Sequence, residues 1–162
     1  MVYWLIGQPG SGKTTLGKKL QEILKTKKRN SKRDVFLIDG DDFRSIYQNS
    51  DYTEQGRRIN IKNAQALVEY LHLNGYDVVV SLVTPYKDLR EEFKNKLDGS
   101  IVEIYLHTTQ KRERDHYHVT NFETPEVNFI SLDTTIDSIE TSFSKLINYL
   151  YKLEYIKQKI KT

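Results

Sequence analysis

Eight consecutive residues, Gly7-Gln8-Pro9-Gly10-Ser11-Gly12-Lys13-Thr14, are the first part of this chain whose types and spacing could do chemistry. They satisfy G-x-x-x-x-G-K-[ST] at every fixed position, the pattern of a loop that cradles nucleotide phosphates. Gly7, Gly10 and Gly12 let backbone N–H groups turn inward and approach phosphate oxygens closely. Pro9 and Ser11 complete the loop, and a helix expected from about Thr14 to Leu24 points its positive end at the same charge. Lys13 is then placed to reach the β and γ phosphates of ATP. The Thr14 hydroxyl is placed to ligate a Mg2+ ion bridging those phosphates, and Thr15 follows it among the ATP-binding positions.

A second cluster, Asp39-Gly40-Asp41-Asp42-Phe43-Arg44, sets three carboxylates and an arginine directly after an apolar run. One carboxylate there suits the magnesium ion or its waters, and another suits the proton of an attacking hydroxyl. Asp is also a favoured helix N-cap, so the same turn can be read as a capped helix start, and both readings can hold for different residues. Further along, Arg57 and Asn60 stand one helical turn apart and can share a face.

Elements must bring these residues together. Apolar runs rich in β-branched residues lie at Val2 to Ile6, Val35 to Ile38, Val78 to Val83, Ile101 to Leu106 and Phe129 to Leu132, separated by helix-compatible sequence. Continuous rather than alternating apolar character, as in Val78-Val79-Val80, points to strands buried on both faces. The predicted class is α/β: a P-loop NTPase three-layer α/β/α sandwich around a mainly parallel five-stranded sheet, with residues 1–162 forming one kinase domain. In such sheets ligands bind beyond the carboxyl ends of the strands. The phosphate loop, the Asp39 turn and the residues after the third run then fall on one edge. The last helix shows a stripe of Ile136, Ile139, Phe143, Leu146, Ile147, Leu150 and Leu153, with Thr134 and Asp137 as a capping box.

Composition narrows the classes. Hydrophobic residues at 38% and charged residues at 29% describe an ordinary folded chain, not a disordered one. The absence of cysteine excludes disulfides and thiolate metal sites, and the Val2 to Ile6 stretch is too short for a signal peptide or a membrane span. A cytoplasmic protein without a membrane partner is the expectation. The net charge of +3 is uneven, with Lys25, Lys27, Lys28, Arg29, Lys32 and Arg33 crowded together. No aromatic residue interrupts that run to stack on bases, so it reads as a solvated loop leaving a helix end and not as a nucleic-acid contact.

Four blocks together resemble the adenylyl-sulfate kinase family. They are Gly7 to Thr14, the Asp39-Gly40-Asp41 turn with Arg44, the segment Tyr52 to Ile61, and Ser81-Leu82-Val83-Thr84-Pro85-Tyr86. The resemblance implies transfer of the γ-phosphoryl group of ATP to the ribose 3′-hydroxyl of a small nucleotide, first of all adenosine 5′-phosphosulfate. Relatives that phosphorylate cytidine diphosphoramidate for capsule phosphoramidate are the alternative acceptor class, and the family's frequent dimers imply a homodimer. A nucleotide-dependent nucleic-acid-binding protein is the remote alternative from another class.

Carried over by residue, the resemblance makes Asp41 the base and Asp39 the support of the metal. It places Arg44, Arg57, Asn60 and Val83 on the acceptor, with Tyr52 stacked on its base. Gly56 stands where the family has aspartate. Thr84 takes the place of a serine sometimes given a covalent phosphoryl role. In-line transfer needs positioning and charge neutralisation instead, so Thr84 is expected to hydrogen-bond phosphate or substrate. Arg114 resembles the arginine near the adenine of ATP. The family's Lys-Gly-Phe-Thr-Gly lid is rewritten across 115–125, where Phe122 is the candidate second face of the acceptor stack. His116 and His118 in that segment read as surface histidines, not ligands.

Overall fold

The structure, a computed structural model, describes residues 1–27, 34–110 and 118–160. Five strands form one all-parallel sheet in the order β2-β3-β1-β4-β5. In chain order the elements are β1 (Val2–Ile6), α1 (Lys13–Lys27), β2 (Val35–Asp39), α2 (Gly40–Ile46), α3 (Glu54–Leu73), β3 (Asp77–Ser81), α4 (Lys87–Lys96), β4 (Ile101–His107), β5 (Phe129–Asp133) and α5 (Ile139–Ile160). Parallel neighbours cannot be joined by a tight turn, so helices cross over the faces and bury the sheet on both sides.

Strand periodicity divides the core in two. Val2, Trp4 and Ile6 point to one face with Val78, Val80 and Leu82, where Ile61, Ala64 and Val68 of α3 and Leu89 and Phe93 of α4 cover them. Tyr3, Leu5 and Val79 point to the other, beneath Leu16 and Leu20 of α1 and Leu146 and Leu150 of α5. The sandwich therefore has the three layers expected from the apolar runs. Leu16 and Leu20 lie one turn apart and are fully buried. At roughly 1.5–3 kcal/mol for each such side chain, they fasten the start of α1, and with it the phosphate loop, against the sheet.

Two boundaries differ from the sequence reading. The third run reaches Val83 in hydropathy, but β3 ends at Ser81, because the chain turns away into Thr84, whose φ is +45°. The last helix begins at Ile139, and its cap is Ser138, whose Oγ accepts the Thr141 N–H at 3.1 Å. Thr134 is not a cap: its hydroxyl donates to Ser11 O at 3.1 Å and lies 3.2 Å from His107 O, tying β5 to the phosphate loop. Ile136 consequently leaves the packed stripe and is 90% exposed. The basic residues 28–33 lie outside the described residues. Among those described, no helix is long and apolar enough to cross a membrane.

Candidate active site

The phosphate loop leaves β1 at the middle of the sheet, where β3 and β4 flank it. Gly7, Gly10 and Gly12 take φ values of +140°, +81° and +95°, a region that L side chains rarely adopt. At Gly7 the requirement is also spatial, since a Cβ would lie 2.1 Å from the carbonyl oxygen of Leu106. Lys13 is buried, with Nζ donating to Gln8 O at 2.7 Å and 3.4 Å from Ser11 Oγ. Its backbone is held too, because the buried Ser81 hydroxyl donates to Lys13 O at 3.1 Å.

Asp39, the last residue of β2, does two jobs. Its Oδ2 accepts the Thr14 hydroxyl at 2.7 Å, and its Oδ1 accepts the Asp41 N–H at 3.0 Å, which caps α2. The capped-helix reading of this turn therefore holds, and the cap leaves the second Asp39 oxygen bonded to Thr14. Asp41 and Asp42 follow in the first turn of α2, exposed on its surface and facing the same cleft. The Thr14 hydroxyl backed by Asp39 is a sparse, all-oxygen donor set, and the described residues contain no group of three or more His, Cys, Asp or Glu side chains able to cage a metal. Sparse oxygen donation fits Mg2+, which keeps several waters and binds through one or two protein oxygens and substrate phosphates.

The opposite wall starts from a loop that Arg44 clips into place. Its Nη1 donates to Asp51 O at 2.9 Å and to Asn49 O at 3.2 Å, while its guanidinium sits 4.4 Å from the centre of the Tyr52 ring. Burial lowers the Arg44 pKa, with Tyr52 acting in the opposite direction. Arg57 lies 5.4 Å from the same ring and donates to Tyr52 O at 2.9 Å. Thr53 caps α3, accepting the Gly56 N–H at 3.2 Å. The glycine at 56 has a steric reason here, since a Cβ would meet Asp51 Cγ at 2.2 Å. One turn after Arg57, Asn60 is 3% exposed and its Oδ1 has no hydrogen-bond partner. An acceptor buried in this way costs roughly 1–3 kcal/mol until a donor reaches it.

These walls enclose a cleft of about 840 Å³. Pro9, Gly10, Gly12, Lys13, Thr14 and Thr15 line one side. Asp39, bonded to Thr14, adjoins it, and Asp41, Arg44, Tyr52, Arg57 and Asn60 complete the lining with Val83, Thr84 and Pro85. Gly7 and Ser11 sit behind the lining and shape the loop.

Two expected site residues have their side chains engaged elsewhere in this structure. Thr84 is 1% exposed, and its hydroxyl accepts the Trp4 indole N–H at 2.9 Å and lies 3.3 Å from Leu82 O. Its place in the wall comes from the turn that it makes. Phe122 is not in the cleft wall: it stacks on Tyr105 of β4 at 5.7 Å and 20°, because the half-buried ring packs on the apolar cluster beneath α3 and α4. Arg114 and His116 lie outside the described residues. His118 is exposed, with Nε2 3.3 Å from Pro9 O.

Sequence reasoning missed Lys18, which lines the cleft from α1; its position four residues after Thr14 was the available signal. It also missed Trp4 and Ser81, whose bonds to Thr84 and Lys13 join residues far apart in the chain and carry no local signal.

The chain is similar to several known kinases. A probable adenylyl-sulfate kinase of Pyrococcus abyssi is 33% identical over 105 residues, 64% of this chain and 58% of that protein. An adenylyl-sulfate kinase of Staphylococcus epidermidis is 27% identical over 175 residues, covering 96% of this chain and 86% of its own. A cytidine diphosphoramidate kinase of Campylobacter jejuni is 27% identical over 143 residues, covering 86% and 81%. In fold, the chain is similar to the Mycobacterium tuberculosis APS kinase solved with AMPPNP and APS, with a TM-score of 0.73 at 16% identity over 93% of this chain and 96% of that one. The model of the adenylylsulphate kinase family matches residues 1–120, a span holding the phosphate loop, the Asp39 turn and the Tyr52–Asn60 wall. With nearly three quarters of its length inside that match, the chain belongs to the adenylylsulphate kinase family of ATP-dependent kinases.

Proposed function

We propose that this kinase transfers the γ-phosphoryl group of ATP to the ribose 3′-hydroxyl of a small nucleotide whose 5′-phosphate carries a further anionic or polar group, adenosine 5′-phosphosulfate being the first candidate. The observation that carries this reading is the buried, unpartnered Asn60 Oδ1 in a wall that faces the phosphate loop across one cleft. A donor on the acceptor nucleotide satisfies Asn60, while Arg57 and Arg44 meet its charge. Tyr52, 48% exposed, offers ring surface to its base.

The chain's own residues then do the following. The loop amides and Lys13 hold the β and γ phosphates and offset the charge that develops on the transferred group. Asp41 takes the proton from the attacking 3′-hydroxyl. Asp39 holds the Thr14 hydroxyl in one rotamer, so that its oxygen is ready as a ligand for Mg2+. When bound, Mg2+ neutralises phosphate charge. Transfer is direct, since the Thr84 hydroxyl is already engaged by Trp4.

A cytidylyl acceptor is the second reading. It is favoured by the position of Phe122, which stacks on Tyr105 and leaves the cleft wall without a second aromatic face from the 118–125 segment. The deciding experiment compares ATP consumption, with magnesium, on adenosine 5′-phosphosulfate and cytidine diphosphoramidate at matched concentrations. Preference for the adenylyl compound supports the first reading, preference for the cytidylyl compound the second, and turnover of neither removes both. Tyr52→Ala is expected to raise KM for the true acceptor while leaving KM for ATP unchanged.

A further inference from the structure

Residues 118–123 are pinned at both ends. On the phosphate-loop side, the Gln8 amide pairs twice with the backbone of Val119: Nε2 donates to Val119 O at 2.8 Å, and Oε1 accepts the Val119 N–H at 2.9 Å. The pairing copies a β ladder, with a side chain in place of a strand. On the other side, the Glu123 N–H donates to Pro85 O at 3.0 Å, and the Glu123 carboxylate accepts the Lys87 N–H. Arg90 holds both sides of this junction, donating through Nη2 to Glu123 O at 2.6 Å and through Nη1 to Thr84 O at 2.9 Å. Phe122, stacked on Tyr105, fills the span between the two anchors.

Gln8 occupies a free position of the phosphate-loop pattern, which asks nothing of its side chain. Its backbone, however, is central to the loop, because Gln8 O accepts the Lys13 ammonium at 2.7 Å and the Ser11 N–H at 3.2 Å. One residue thus touches the lysine that serves phosphate and the segment that reaches the Thr84–Pro85 turn. Any adjustment of the loop or of Lys13 toward phosphate acts on Gln8, and the rigid two-bond amide transmits it to Val119.

We infer that Gln8 is a positioning residue: it ties residues 118–123 to the phosphate loop, so that nucleotide binding in the loop orders the strap running to the Thr84–Pro85 turn. This rests on nucleotide binding by the loop and not on the identity of the acceptor. Binding energy at one site shifts an equilibrium at another only through contacts that differ between the two states.

The test is residue-resolved amide exchange on the full chain, with and without ADP, in the wild type, Gln8→Ala and Gln8→Met. The methionine keeps the length of the side chain and loses both bonds. In the wild type, ADP slows exchange at residues 10–15 and also at 119 and 122–123. In both variants Val119 exchanges about fivefold to thirtyfold faster, and ADP protects 10–15 alone. Unchanged Val119 exchange in Gln8→Ala overturns the inference, as does protection restored by methionine, which would make the contact one of packing. Loss of ADP protection at 10–15 in both variants also overturns it, because Gln8 would then belong to the cradle itself.

Discussion

At the residue scale, the candidate site is a set of side chains whose partners within the fold are already in place. Lys13 is buried, and its ammonium is held at the cradle by loop oxygens. Lys13→Ala is expected to lower kcat on the true acceptor by at least about a hundredfold, the scale of losing one preorganised charge-stabilising group. Single-turnover measurement with ATP checks this, and wild-type-like turnover would remove the phosphate loop from the chemistry. Asp41 is an exposed residue at the cleft, and both Asp39 oxygens are bonded. On the proposed mechanism, Asp41→Asn reduces kcat far more than it weakens ATP or acceptor binding. Equal losses in rate and affinity would instead make Asp41 a binding group. The shape of the loop was legible from the motif Gly7 to Thr14, since its residue types are dictated by phosphate itself. The inward turn of the Thr84 hydroxyl was not legible, because it depends on Trp4, eighty positions away.

At the scale of elements, the start of α1 must sit close to β3 for the loop to hold its shape. Gly17 permits that approach: a Cβ there would meet Ser81 Oγ at 2.4 Å and Leu37 Cδ1 at 3.5 Å. Helix propensity alone favours alanine over glycine by about 1 kcal/mol, whereas overpacking a tight interface costs about 1–3 kcal/mol. A contact this short belongs at the upper end of that range. Gly17→Ala is therefore expected to destabilise the fold by about 1–2 kcal/mol, read as a lower urea midpoint at constant m-value. Adding Ser81→Ala should recover part of the loss, so the pair will be non-additive. If Gly17→Ala raises the midpoint, α1 does not pack on β3 as closely as described. The stripe of the last helix was legible as a period, yet its start was not. Thr134 and Ser138 are both good caps by type, and only the claim of Ser11 O and His107 O on the Thr134 hydroxyl leaves Ser138 to begin the helix.

At the scale of the whole molecule, a buried ionic junction lies beneath the cleft. Arg90 and Glu103 are 4% and 3% exposed, with Nε and Oε1 2.8 Å apart though off hydrogen-bond alignment, and Lys94 Nζ reaches the other Glu103 oxygen at 2.8 Å. This junction joins β4 to α4 and, through Arg90, to Thr84 and Glu123. Removing one partner of a buried pair strands the other charge, so Glu103→Ala is expected to cost about 3–5 kcal/mol of stability. Thermal and urea unfolding will check it, and a loss under about 1 kcal/mol would show that water reaches Arg90 when Glu103 is gone. By itself the sequence determined the α/β class, the five strands, the phosphate loop and the carboxylate turn after the second strand. These follow from local patterns, namely continuous apolar runs and residue types that phosphate chemistry requires. Tertiary structure alone decided which side chains face the cleft and which face one another. Phe122 went to Tyr105, Thr84 to Trp4, Gln8 to Val119 and Arg90 to Glu103, because each choice is a competition among partners distant in sequence that only the packed sandwich brings within reach.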